Sequence, residues 1–259
     1  MNAASGSVPA VFSRVGGVLY AVIPDGDGGW YIGGSFKNVG GQLRSGLAHI
    51  LSDGSVAAWN PIPNDRVFAL ALADGILYVG GSFTSLDGQS RNRLASFDVI
   101  SGQLLPWTPD VNYPVGSLAV SSGKLYAGGS FWMVNGVARN GLACFDTQTG
   151  TLTDWNPNAN QFASFTIVMS GSVLYVRGIF RTIGGQPRTD IAALDGNTAA
   201  LLPWNPAPNG NVASLAVGNG LVYVGGLFTS VGDNHAMGSL HSTRGPGPPR
   251  RGTRVPTAT

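Results

Sequence analysis

Val67-Phe68-Ala69-Leu70-Ala71-Leu72, then Asp74-Gly75, then Ile76-Leu77-Tyr78-Val79-Gly80-Gly81-Ser82-Phe83: this stretch decides the fold. Two apolar runs too short for helices flank a dipeptide that favours positive φ, so the segment reads as a β-hairpin. The paired glycines suit a place where another backbone packs closely or the strand bulges. A polar loop follows (Leu86-Asp87-Gly88-Gln89-Ser90-Arg91), then Leu94-Ala95-Ser96-Phe97-Asp98 as a third strand. Ser101-Gly102 turns the chain, and Gln103 to Trp107 makes a short fourth strand closed by Pro109.

The same order of signals returns along the chain. Copies of Tyr-X-Gly-Gly begin at Tyr31, Tyr78, Tyr126, Tyr175 and Tyr223, in steps of 47, 48, 49 and 48 residues. Trp59-Asn60-Pro61, Trp107-Thr108-Pro109, Trp155-Asn156-Pro157 and Trp204-Asn205-Pro206 keep step with them. A four-stranded unit of this length, stacked on copies of itself, predicts an all-β propeller. Tyr78, Tyr126 and Tyr175 are therefore expected at equivalent places in successive sheets.

Composition agrees. Glycine contributes 39 of 259 residues, about double ordinary usage, and glutamate is absent. Lysine occurs only at Lys37 and Lys124. Such a chain disfavours helices and favours short strands and tight turns. Residues 1–232 carry 11 Arg plus Lys against 12 Asp, a net of −1, so the repeat body has no electrostatic preference for nucleic acid. No apolar run approaches the roughly 18 residues that span a bilayer, so no membrane insertion is expected. No signal peptide is visible at Met1-Asn2-Ala3-Ala4-Ser5.

These residues resemble the bacterial delta-60 repeat family of β-propellers over about residues 18–232. The shared features are Tyr-Val-Gly-Gly-Ser-Phe, Gly-Gly-Gln-X-Arg and Trp-Asn-Pro. A weaker likeness extends to the kelch-like repeats of a fungal cell-cortex protein. The resemblance implies a propeller on a bacterial cell-surface or secreted protein, with no generally established activity. Arg177 departs from it by replacing a glycine, and Thr108 by replacing an asparagine.

The organisation expected is a lead-in over 1–17, repeats over 18–232, and a basic Pro/Gly/Arg tail over 233–259. The fifth unit follows the pattern through Gly225-Gly226-Leu227-Phe228-Thr229-Ser230-Val231-Gly232 and then breaks off. The tail carries Arg244, Arg250, Arg251 and Arg254 against Asp233. It reads as a shifted reading frame or an artificial end, disordered and without a strand to complete the fifth blade. On that reading the chain is a truncated piece of an incomplete ring.

Candidate sites each have a plain structural reading. Arg44, Arg91, Arg139 and Arg188 recur, with Asp98, Asp146 and Asp195 seven residues after the last three. A recurrent Arg suits a tie from loop to blade, through Asp or carbonyl groups, better than a ligand ring. The Trp series reads as blade packing, with the indole N–H tying down a neighbouring turn. Trp132 replaces the Thr of Phe-Thr-Ser on a loop and is the position most suited to stacking a sugar. Asp25-Gly26-Asp27-Gly28-Gly29 has the look of a calcium loop, but Phe36 stands where its glutamate belongs, so it reads as a turn. Cys144, the only cysteine, reads as a small buried core residue.

No catalytic, cofactor-binding or metal residue is assigned. The function read from this is a non-enzymatic binding or scaffold module without a cofactor. Its partner would be a protein or a glycan, outside the cell or on its surface. The alternative is a quinoprotein- or lyase-like enzyme holding a ligand in the central channel; Arg177, Trp132 and His49 are the visible irregularities.

Overall fold

A computed structural model describes residues 13–160 and 166–232, together with the backbone of 234–235 and 241–244. Five antiparallel sheets follow one another, and no helix forms among the described residues. In the second unit the inner strand Val67–Ala73 pairs with the middle strand Ile76–Gly81, which pairs with the outer strand Leu94–Asp98. The fourth strand contracts to one bridge, Phe97 with Leu104. The third and fourth units repeat this with Phe145–Leu152 and Leu194–Leu201.

The tyrosines occupy equivalent places. Tyr31, Tyr78, Tyr126 and Tyr175 lie in the middle strands opposite His49, Ser96, Cys144 and Ala193 of the outer strands. Successive inner strands face one another, so the core is divided into clusters between neighbouring sheets rather than gathered at one centre. The inner strand of the first unit, Val15–Pro24, begins within the segment read as lead-in.

The two glycines of each motif do different jobs. A β-carbon at the first would strike the next unit: at Gly33 it would lie 2.6 Å from Val67 Cγ1, and at Gly80 2.8 Å from Val115 Cγ1. A β-carbon at the second, Gly34 or Gly81, would collide with the backbone of its own inner strand, where the register slips. Glycine thus sets both the distance between blades and the bulge inside each.

The fifth unit departs from expectation. His241–Arg244 pairs antiparallel with the middle strand Leu221–Leu227, with Val224 opposite His241 and Leu221 opposite Arg244. A third strand therefore comes from the segment expected to supply none. Its sequence, His-Ser-Thr-Arg, has no apolar pattern; main-chain hydrogen bonding to an available edge is what recruits it. Asn234–His235 likewise pairs with Ser230–Val231, and the rest of 233–259, whose disorder the composition predicts, lies outside the described residues.

Candidate functional site

Each unit has two ends. At one lie the hairpin turn and, in the second to fourth units, the Asp-capped turn after the outer strand. At the other lie the linker from the preceding unit and a small two-stranded hairpin.

At the turn end the recurrent side chains hold backbone. Asp98 Oδ1 accepts from the N–H of Ile100 and Ser101 and from the Ser101 hydroxyl. Asp146 does the same with Gln148 and Thr149, and Asp195 with Asn197 and Thr198. Backbone N–H bonds hold all three carboxyls below their ordinary value, because those bonds favour the charged form. The Trp series reaches across to the next unit. Trp59 Nε1 donates to Gly102 O at 2.9 Å and Trp107 Nε1 to Gly150 O at 2.8 Å. Each ring also stands edge-on between a tyrosine of its own unit and a phenylalanine of the next: Tyr31 and Phe97 about Trp59, Tyr78 and Phe145 about Trp107.

The third junction is altered. Ala199 stands where Gly102 and Gly150 stand, at φ +63°, and Trp155 Nε1 bonds Asp195 O at 3.3 Å instead. A β-carbon at Gly102 or Gly150 would crowd the facing indole, at 2.9 and 2.7 Å from its Cδ1. Ala199 carries that carbon, so the longer bond to a different carbonyl is what the tryptophan makes of the crowded turn.

The recurrent arginines bond carbonyls, not carboxylates. Arg139 donates to Ala138 O and Thr153 O, and Arg91 to Ser90 O, Gln89 Oε1 and Leu105 O. Arg44 and Arg188 repeat the pattern with Ala57 O and Leu202 O. All these acceptors lie within the arginine's own unit, so the fork ties the hairpin loop to the start of the Trp segment. The Asp seven residues later is committed to its own turn.

At the linker end a series not singled out from the sequence does similar work. Asn64, Asn112, Asn160 and Asn209 each use Oδ1 to accept two successive N–H groups of the hairpin, such as Thr84 and Ser85, or Trp132 and Met133. Their spacing of 48, 48 and 49 residues was available in the sequence as a signal.

Against this fixed frame one exposed position changes in every unit but the last. Lys37, Thr84, Trp132, Arg181 and Thr229 each follow the buried phenylalanine of the hairpin. In the third unit Trp132 lies 39% exposed, with its ring centroid 4.8 Å from that of Tyr113, itself 49% exposed. Met133 extends the same apolar surface. This aromatic pair on the linker end is the candidate binding surface.

The other irregular residues lie elsewhere. His49 stacks on Tyr31 at 4.3 Å and its Nε2 pairs with Asp25 Oδ2 at 2.8 Å, beside a cavity of about 270 Å³ at the first junction. Asp25 Oδ1 meanwhile accepts from the N–H of Asp27 and Gly29, closing the turn that resembles a calcium loop. Burial would raise the Asp25 carboxyl, but the bonds from His49, Asp27 and Gly29 outweigh it and hold the group low. Arg177 Nε donates to Val212 O of the fifth unit. His49, Trp132 and Arg177 thus stand in three different units, and the fold does not bring them together. Cys144 is fully buried, and burial pushes its thiol up to about 11. Among the described residues no three His, Cys, Asp or Glu side chains gather as a metal set.

Fold and repeat together define a β-propeller module. A family model described as a domain of unknown function (DUF5122) beta-propeller matches residues 26–56, 72–98 and 121–152. The extracellular domain described as that of the hybrid two component system BT4673 from B. thetaiotaomicron is 17% identical. The alignment covers 83% of this chain and 26% of that one, with a TM-score of 0.52. The crystal structure of the computationally designed Ika4 protein is 18% identical over 70% of this chain and 92% of its own, with a TM-score of 0.46. The likeness to the B. thetaiotaomicron domain is one of fold, and the chain spans about a quarter of that domain's length. No curated protein matches the chain.

Proposed function

We propose that this chain is a non-enzymatic β-propeller repeat module of the delta-60 kind, belonging to a bacterial cell-surface or secreted protein. It binds its ligand on the linker end. One observation carries the reading. The recurrent Arg, Asp, Asn and Trp side chains are consumed in holding backbone, while the exposed position after each hairpin phenylalanine varies from Lys37 to Arg181. Constant positions build the scaffold, and variable exposed ones read a ligand. The Tyr113–Trp132 pair favours a ligand with a flat apolar face, which a sugar ring supplies.

The extracellular placement rests on composition: low charge and a single cysteine. It is in keeping with the description of the B. thetaiotaomicron neighbour as an extracellular domain. No helix among the described residues is long and apolar enough to cross a membrane. A glycan array probed with the wild-type chain and with Trp132→Ala tests the proposal. Binding by the wild type and its loss in the variant are expected. Equal binding by both would move the site away from the aromatic pair.

A further inference from the structure

Consecutive units meet through two complementary faces, and among the described residues the first and fifth units each leave one of them uncovered. The leading face of a unit, turned toward its predecessor, is apolar. In the second unit it consists of Val67, Leu70 and Leu77, which are 0, 6 and 0% exposed. The sheet registers identify their counterparts in the first unit. Leu19 faces Gly34 as Val67 faces Gly81; Val22 faces Ile32 as Leu70 faces Val79; Trp30 takes the place of Leu77. These three are 40, 49 and 45% exposed. Three large apolar side chains thus lie open on one sheet face, at positions that the preceding blade covers in the next unit.

The trailing face shows the reverse. In the second unit Ala69, Ala71, Tyr78 and Gly80 are all buried against the third. In the fifth unit their counterparts by register are Ser214, Ala216, Tyr223 and Gly225. Ser214 and Ala216 are exposed, and Tyr223 and Gly225 half-buried. Ser214, Ala216 and Gly225 are small, as the approach of a following blade requires, and Gly225 stands where Gly80 receives Val115. No hydrogen-bonded ladder and no core cluster joins the first and fifth sheets among the described residues.

The two open faces repeat an interface the chain already forms between its own units. We infer that the first unit of one molecule docks on the fifth unit of a second copy, head to tail, with Leu19, Val22 and Trp30 seated over Ala216, Tyr223 and Gly225. The contact is heterologous, so the pair retains one free face of each kind after a single association. Burial of a contiguous apolar patch drives it, as it drives the contacts between blades.

Sedimentation of the full chain over a wide concentration range tests this, alongside Val22→Lys on the leading face and Ala216→Arg on the trailing face. Both substituted positions are solvent-exposed, so the circular dichroism and melting temperature of each variant should match wild type. Leu19→Lys is a second leading-face variant should Val22→Lys perturb the fold. The wild type should self-associate, and each variant should do so roughly tenfold more weakly or worse. An equimolar mixture of Val22→Lys and Ala216→Arg should form a dimer that grows no further, since each supplies the face the other has lost. A wild type that stays monomeric, as it would if the first and fifth units closed on each other within one chain, overturns the proposal. So do variants that associate like wild type, or a mixture that does not pair.

Discussion

The second and third units have the same frame and differ where it meets solvent. Asn64 and Asn112 both accept two hairpin N–H groups through Oδ1. In the second unit the Asn64 amide also donates to the Thr84 hydroxyl at 2.8 Å. In the third, Trp132 replaces that threonine and lies against Tyr113 instead. The backbone contacts survive the exchange, and the surface alone changes. A repeat fold can therefore vary what it presents without disturbing what holds it, because the holding bonds run to main chain.

The sharpest way to break the comparison is at the frame. Trp107→Ala removes a ring packed between Tyr78 and Phe145 and the bond to Gly150 O. It should cost about 3–5 kcal/mol in urea unfolding. Arg139→Ala leaves two carbonyls without their donor and should cost about 1–3 kcal/mol by the same measurement. Glycan binding by any variant that remains folded should be unchanged.

At the third junction the expected sign reverses. Ala199→Gly removes a β-carbon from a left-handed residue and restores the turn of Gly150, so unfolding should shift toward greater stability by about 0.5–1 kcal/mol. A loss of stability would show that the Ala199 methyl contributes more through its burial than its backbone strain costs.

Acid should act on the turn ends of the second, third and fourth units alike. Asp98, Asp146 and Asp195 have carboxyls held below their ordinary value of 3.8. The unfolded chain thus binds protons before the folded one does. The contribution of these groups is fully present above 3.8 and is lost as pH falls through their lower folded values. Melting temperature measured against pH should fall on that acid side. Replacing all three with Asn should flatten the fall.

The smallest effect on stability, and the largest on binding, is expected at the surface. Trp132→Ala should change unfolding by about 0.5 kcal/mol, because it forfeits the ring contact with Tyr113 but leaves the backbone N–H bonds to Asn112 in place. It should abolish glycan binding. A large loss of stability would make Trp132 part of the frame and end its contrast with Thr84.

Much of this frame was legible in the chain because each element repeats. The Tyr-X-Gly-Gly interval gave the units, and the paired glycines gave the close approach and the bulge. Trp59 and Trp107 could be read as ties to a neighbouring turn, and Arg139 as a tie to carbonyls or to Asp. Two roles were not legible. The choice of carbonyls over Asp146 depends on where the Asp side chain is already engaged, by Gln148 and Thr149 on its own turn. The Asn series does recur at 48, 48 and 49 residues, but its role as acceptor for two hairpin N–H groups is visible only once the hairpin folds over it.

Sequence by itself determined that the chain is a stack of like β-units, since short apolar runs, turn dipeptides and their return about every 48 residues are local and survive without knowledge of contacts. Tertiary structure decided which faces are covered. Leu19 and Val67 are both apolar strand residues with the same pairing, and only the presence of a preceding blade makes one buried and the other open. It also decided that His241–Arg244, four residues without an apolar pattern, forms a strand. The edge of Leu221–Leu227 offers unpaired main-chain groups, and hydrogen bonding to them asks for no particular side chain.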